Sequence, residues 1–285
     1  MHFLNLGHAY ETTSRLATAL IGEHPTADII DRSYRQAITT IRRLAPPDHG
    51  RTITFEDGEW GRYLIDNNVF EAIFVGIDAS DGVQRGRWQA DVEHAFAYVA
   101  ALNPDLGRLI DLLVTDVVVL NSERTGGGSA SHIPGLVCIS PGPHWQMVDF
   151  AESLVHEAIH LNLFIEDMVY GMYTLPTSDL ADDQYRVLSA VKVGELRPLD
   201  KAFHSAVVAV PLMYMQDRRG ESTLVDQFAV SLRECTDGLI GKRQFFTEYG
   251  QMLVDELRKF AVSLDFEYVE NSISSDQYAY QSLRI

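Results

Sequence analysis

Residues 154–163 read as a helix with apolar side chains on nearly every side: Leu154, Val155, Ala158, Ile159, Leu161 and Leu163. A helix of that kind has to lie inside a domain. Yet it carries His156, Glu157 and His160, three groups that cost free energy to bury without partners. Residues four apart stand one turn above each other on a single helix face. Both imidazoles can therefore reach one metal ion, with Glu157 beside it. Two neutral imidazoles suit Zn²⁺ or Fe²⁺, and the adjacent carboxylate can move a proton or orient a water. The plainer reading of H-E-x-x-H is a helix whose His and Glu are half-buried and hydrogen-bonded, with no metal.

Two histidines do not complete a site, so a third ligand is expected elsewhere. A metzincin-type continuation needs glycine and histidine where this chain has Leu163 and Glu166. A gluzincin-type site needs a downstream glutamate, and Glu195 is a candidate. His204 is the other. Pro198 and Asp200 mark the start of the helix that carries His204, with Asp200 as its expected cap, and the small apolar residues after His204 predict burial. Spacing leaves Glu195 and His204 both open.

With 285 residues and ordinary apolar and charged content, the chain can bury a sizeable core. The 40 acidic residues against 23 basic ones give a net charge of −17. That balance disfavours nucleic acid and anionic membranes, and tolerates or attracts a basic peptide. There are two cysteines, Cys138 and Cys235, and Cys138 is expected to be a buried thiol. No disulfide framework, signal peptide or bilayer-length apolar run is visible, which fits a cytoplasmic protein.

The expected organisation is a single domain over 1–285. It has a mainly helical part (1–112), a metal-binding core (113–216) and C-terminal helices (217–285). Helical spacing predicts helices over 9–21, 26–44, 59–74, 87–102 and 104–112, the last capped by Asn103. Residues 114–120 and 134–140 read as strands. The patch Thr125-Gly126-Gly127-Gly128-Ser129-Ala130-Ser131 joins them as a flexible loop, making a hairpin-like pair. The second strand, beside the motif helix, offers an edge to which an extended peptide can add. Further helices are expected over 184–193, over 201–215 (kinked or ended near Pro211) and over 224–264 (broken near Asp237-Gly238). A loosely held tail is expected from Glu267. His132 and His144 read as loop histidines. The glycine patch lacks the ending of a phosphate loop.

The combination of Pro134-Gly135-Leu136-Val137, Leu154-Val155-His156-Glu157-Ala158-Ile159-His160, Arg197-Pro198 and His204 resembles the alpha-ketoglutarate-dependent HExxH-type peptide beta-hydroxylases. These are associated with ribosomally made peptide natural products, and the likeness covers roughly 114–216. The resemblance implies Fe(II) held by His156, His160 and His204, with alpha-ketoglutarate and O₂ on the open positions. It implies Arg197 on the far carboxylate of alpha-ketoglutarate. Without a co-substrate, Arg197 would instead form a structural ion pair. Glu157 would orient a histidine or a water. The substrate implied is a precursor peptide hydroxylated at a β-carbon. Two other readings stay open. One is a zinc metallopeptidase in which Glu157 is the base and Glu195 a Zn(II) ligand. The other is a peptide-binding protein without catalysis. The fold expected is α+β and predominantly helical, with the motif helix packed beside a small sheet in a locally zincin-like layout.

Overall fold

The computed structural model describes residues 1–22, 24–26 and 28–274. Among them the chain is mostly helical with a small mixed sheet, an α+β architecture. Contacts group it into two compact units, Thr13–Phe164 and a second made of Met1–Thr12 with the chain from Ile165 onward. Neither unit coincides with a stretch delimited from sequence.

The Thr13–Phe164 unit holds most of α1 (Leu6–Ile21), then α2 (Ile30–Thr39), β1 (Thr52–Phe55), α3 (Glu59–Asp66), α4 (Gly82–Leu102) and α5 (Pro104–Leu113). It continues with β2 (Asp116–Val119), β3 (Gly126–Gly128), β4 (Leu136–Ser140) and the larger part of α6 (Met147–Tyr170). Asn103 caps α5 as expected, its side chain accepting from the amides of Asp105 and Leu106. Two helices are shorter than their apolar spacing predicts. α2 stops at Thr39, ahead of Arg42, which turns inward. α3 stops at Asp66, ahead of Asn68, which takes a left-handed φ of 52°.

The sheet order is β1-β2-β4-β3. The two strands read from sequence do pair, but in parallel, not as a hairpin. The glycine patch is itself a strand, antiparallel to β4 and at the sheet edge. Glycine is depleted in strands, so its composition pointed to a loop. β4 consequently lies inside the sheet and has no free edge to offer a peptide. Every residue of β2 and β4 is buried, as expected for central strands covered on both faces. On one face Val118, Leu120, Leu136 and Cys138 pack with Trp60 and Phe70.

A buried cation ties the strands together. The fully buried Arg42 side chain donates to Asp116 Oδ2 at 2.5 Å, to Thr115 Oγ1 at 2.9 Å and to the carbonyls of Pro134 and Leu44. These bonds join the starts of β2 and β4 to the chain after α2. Gly135, at φ +87°, makes room for them, because a Cβ there would lie 2.6 Å from Thr115 Oγ1.

The second unit contains β5 (Val187–Leu188), β6 (Leu196–Arg197), α7 (Leu199–Arg218), α8 (Thr223–Gly241), α9 (Glu248–Ser263) and α10 (Phe266–Ser274). The helix expected over 184–193 is replaced by a short 3-10 turn and the β5–β6 pairing. Val187 favours extended backbone, and Gly194, at φ +81°, closes the return. α7 runs through Pro211 without ending. Nearly all of its residues are buried against α8, α9 and α10, and that packing outweighs the missing hydrogen bond. Its N-cap is Pro198, so Asp200 is not the cap. It lies in the first turn, where a carboxylate still favours the helix dipole. The break between α8 and α9 falls at 242–247, after Asp237-Gly238. α10 orders residues 267–274 of the expected loose tail, and the remainder lies outside the described residues. No helix among the described residues is long and apolar enough to cross a membrane.

Candidate metal centre

α6 carries the motif, and it is continuous across it. Its first two turns supply Phe150, Ala151, Leu154 and Val155, all buried, which set the helix against the sheet. The His156 and His160 rings stand one turn apart and turn the same nitrogen toward each other, Nε2 to Nε2 at 3.1 Å. Both histidines are half-buried rather than enclosed, so the shared point between them is open to an incoming ion. In the metal-free chain one N–H can bridge the two nitrogens at that distance. The spacing also fits a common ion. With metal–nitrogen bonds of about 2.1 Å, a 3.1 Å separation subtends roughly 95°, close to the right angle between neighbouring octahedral positions.

Glu157 is the most deeply placed of the three, with its side chain 6% exposed. Oε1 lies 3.9 Å from His156 Nε2, and Oε2 accepts from Ser129 Oγ at 2.7 Å. Burial pushes its pKa up to about 7, and the Ser129 hydrogen bond opposes part of that rise. The wall it faces is β3. A Cβ at Gly127 would sit 2.6 Å from Glu157 Oε1 and 3.0 Å from Ser153 Oγ, so only glycine leaves the carboxylate its place. Ser129 and Gly127 were not singled out by the sequence reading. The glycine patch was visible, but its role as a strand against Glu157 depends on long-range pairing.

The other candidates lie in the second unit. His204 is on the early part of α7, 7% exposed, with its ring edge-on to Phe203. Arg197, on β6, is half-buried and forms no side-chain ion pair or hydrogen bond among the described residues, so the structural ion pair is not what holds it there. Glu195 is exposed, with Lys192 at 3.9 Å. His132 and His144 are exposed. Cys138 and Cys235 are buried, and burial raises both thiols, Cys235 to about 12. Within either unit, among the described residues, no three His, Cys, Asp or Glu side chains converge to hold a metal. The motif supplies two.

Compared with protein-family models and with curated proteins, the chain matches none. The family likeness therefore stands on its motif residues alone.

Proposed function

We propose that this chain is an Fe(II)- and alpha-ketoglutarate-dependent dioxygenase that hydroxylates the β-carbon of a residue in a ribosomally made precursor peptide. The observation that carries the metal is the 3.1 Å approach of the two Nε2 atoms beside a buried carboxylate. The reaction class rests on the resemblance of the motifs. Bound Fe²⁺ with alpha-ketoglutarate supplies the activation of O₂. His156 and His160 would hold the ion through Nε2. The resemblance assigns the third ligand to His204 and the distal carboxylate of alpha-ketoglutarate to Arg197, whose guanidinium suits bidentate pairing. Glu157 orients His156, with its other oxygen fixed by Ser129. An antiparallel edge strand next to the motif helix supports a locally zincin-like layout.

A zinc metallopeptidase is the second reading, favoured by one observation. Glu157 has a pKa of about 7, that of a general base poised near neutral pH, and it stands beside the histidine pair. One experiment separates the two. Anaerobically purified protein is loaded with Fe²⁺ and alpha-ketoglutarate, mixed with a short peptide encoded beside its gene, and exposed to air. A mass gain of about 16 Da that requires both additives supports hydroxylation. It should vanish with Arg197→Ala. Peptide fragments formed with Zn²⁺ and no co-substrate, lost in Glu157→Gln and retained in Arg197→Ala, would replace it with the peptidase. No change under either condition removes both readings.

A further inference from the structure

β3 is the outer strand of the sheet, and its register fixes which of its backbone groups face outward. The Asp116 amide donates to Gly135 O, and the Leu120 amide to Ile139 O. Gly135, Val137 and Ile139 thus direct their peptide groups toward β2. Their alternates, Leu136, Cys138 and Ser140, direct theirs toward β3. Gly126 opposite Ser140 and Gly128 opposite Cys138 are then the hydrogen-bonded pairs. Gly127, opposite Ile139, is the non-hydrogen-bonded position, so its N–H and C=O point away from β4. Among the described residues neither group meets a protein partner, and the residue is half-exposed.

An open donor and acceptor on one residue is what an added antiparallel strand needs, because a single opposing residue closes both bonds. Directly opposed residues in such a pair put their β-carbons on the same face of the sheet. At Gly127 that face is the α6 side, since its missing Cβ would point into Glu157. The absence of a side chain there leaves space for that of the partner.

We infer that an extended peptide segment pairs antiparallel with β3, and that its residue opposite Gly127 is the one whose β-carbon is turned toward Glu157 and the His156–His160 pair. This assignment rests on the proposed function for its chemical meaning, but the pairing stands on the register alone. Two properties of the segment follow. The residue opposite Gly127 is not proline, because it must donate an N–H. The segment is neutral or basic, because it approaches a chain with a net charge of −17.

The test uses metal-free, full-length protein and short random peptides selected for binding to it. The Gly127 amide, followed by hydrogen exchange, should be protected by the selected peptides. In a scan of backbone N-methylation along one such peptide, the position paired with Gly127 should lose affinity roughly tenfold or more. Gly127→Pro should lose it as well, and the N-methyl scan on the unchanged protein covers the case in which that variant does not fold. A library that yields no binder, binders that leave Gly127 unprotected, or a flat N-methyl scan would each overturn the pairing. With the precursor peptide, the oxygen should be found on the residue identified by the scan. Binding at Gly127 without hydroxylation refutes the proposed function and spares the pairing. Hydroxylation on a peptide that ignores Gly127 does the reverse.

Discussion

Replacing Glu157 with glutamine should stabilise the metal-free protein above neutral pH and leave it nearly unchanged in acid. Burial raises the Glu157 pKa from its ordinary 4.5 to about 7, so the folded chain holds this proton more tightly than the unfolded chain does. The stability gained from that proton is complete below about pH 4.5 and is lost as the pH climbs through about 7. At 1.36 kcal/mol per pKa unit the gap amounts to about 3 kcal/mol. Glutamine keeps the shape and still accepts from Ser129 Oγ, but has no proton to lose. The difference in unfolding free energy between variant and wild type should rise from near zero at acid pH to about 3 kcal/mol at slightly alkaline pH. Urea unfolding followed by tryptophan fluorescence measures it. Trp60, Trp88 and Trp145 all belong to the Thr13–Phe164 unit, so the signal reports on the unit that contains Glu157. Every other titrating group is common to both proteins. Two stability curves that stay parallel across the range, or a variant weaker than wild type at alkaline pH, would refute the burial argument.

Gly127→Ala forces a methyl group to within 2.6 Å of Glu157 Oε1 and should cost about 1–3 kcal/mol. In a double-mutant cycle with Glu157→Ala most of that cost should disappear, and additive costs would mean that the contact is relieved some other way. Arg42→Leu leaves the Asp116 carboxylate buried without its cation, and denaturant unfolding should show a loss of about 3–5 kcal/mol. His160→Ala should abolish stoichiometric Co²⁺ binding, read by its absorption spectrum, while circular dichroism stays unchanged. Retained binding would place the ion elsewhere.

The local parts of this fold were legible because local rules govern them. The cap at Asn103, the apolar wrapping of α6 and the β-branched run of β2 follow from neighbours along the chain. What escaped depended on residues far apart in sequence. Nothing in Thr125–Ser131 reveals that β4 inserts between β2 and β3, since pairing order is decided by the whole sheet. Pro211 reads as a break, but burial on several sides carried the helix through it. At the site, the two histidines and Glu157 could be read from helical spacing. Ser129 could not, because a serine after three glycines looks like any loop serine until the strand it ends is laid against α6.

Three glycines in a row give an edge strand almost nothing with which to mark its position. Shifting β3 by one residue would set a different glycine before Glu157 with no change in side-chain contacts along the run, yet it would turn the outward peptide groups inward. The hydroxyl of Ser129 breaks this degeneracy, since it reaches Glu157 Oε2 in one alignment only. A single side-chain hydrogen bond thus acts as the strand's index mark. Its removal would loosen which backbone groups face the solvent before it loosened the fold.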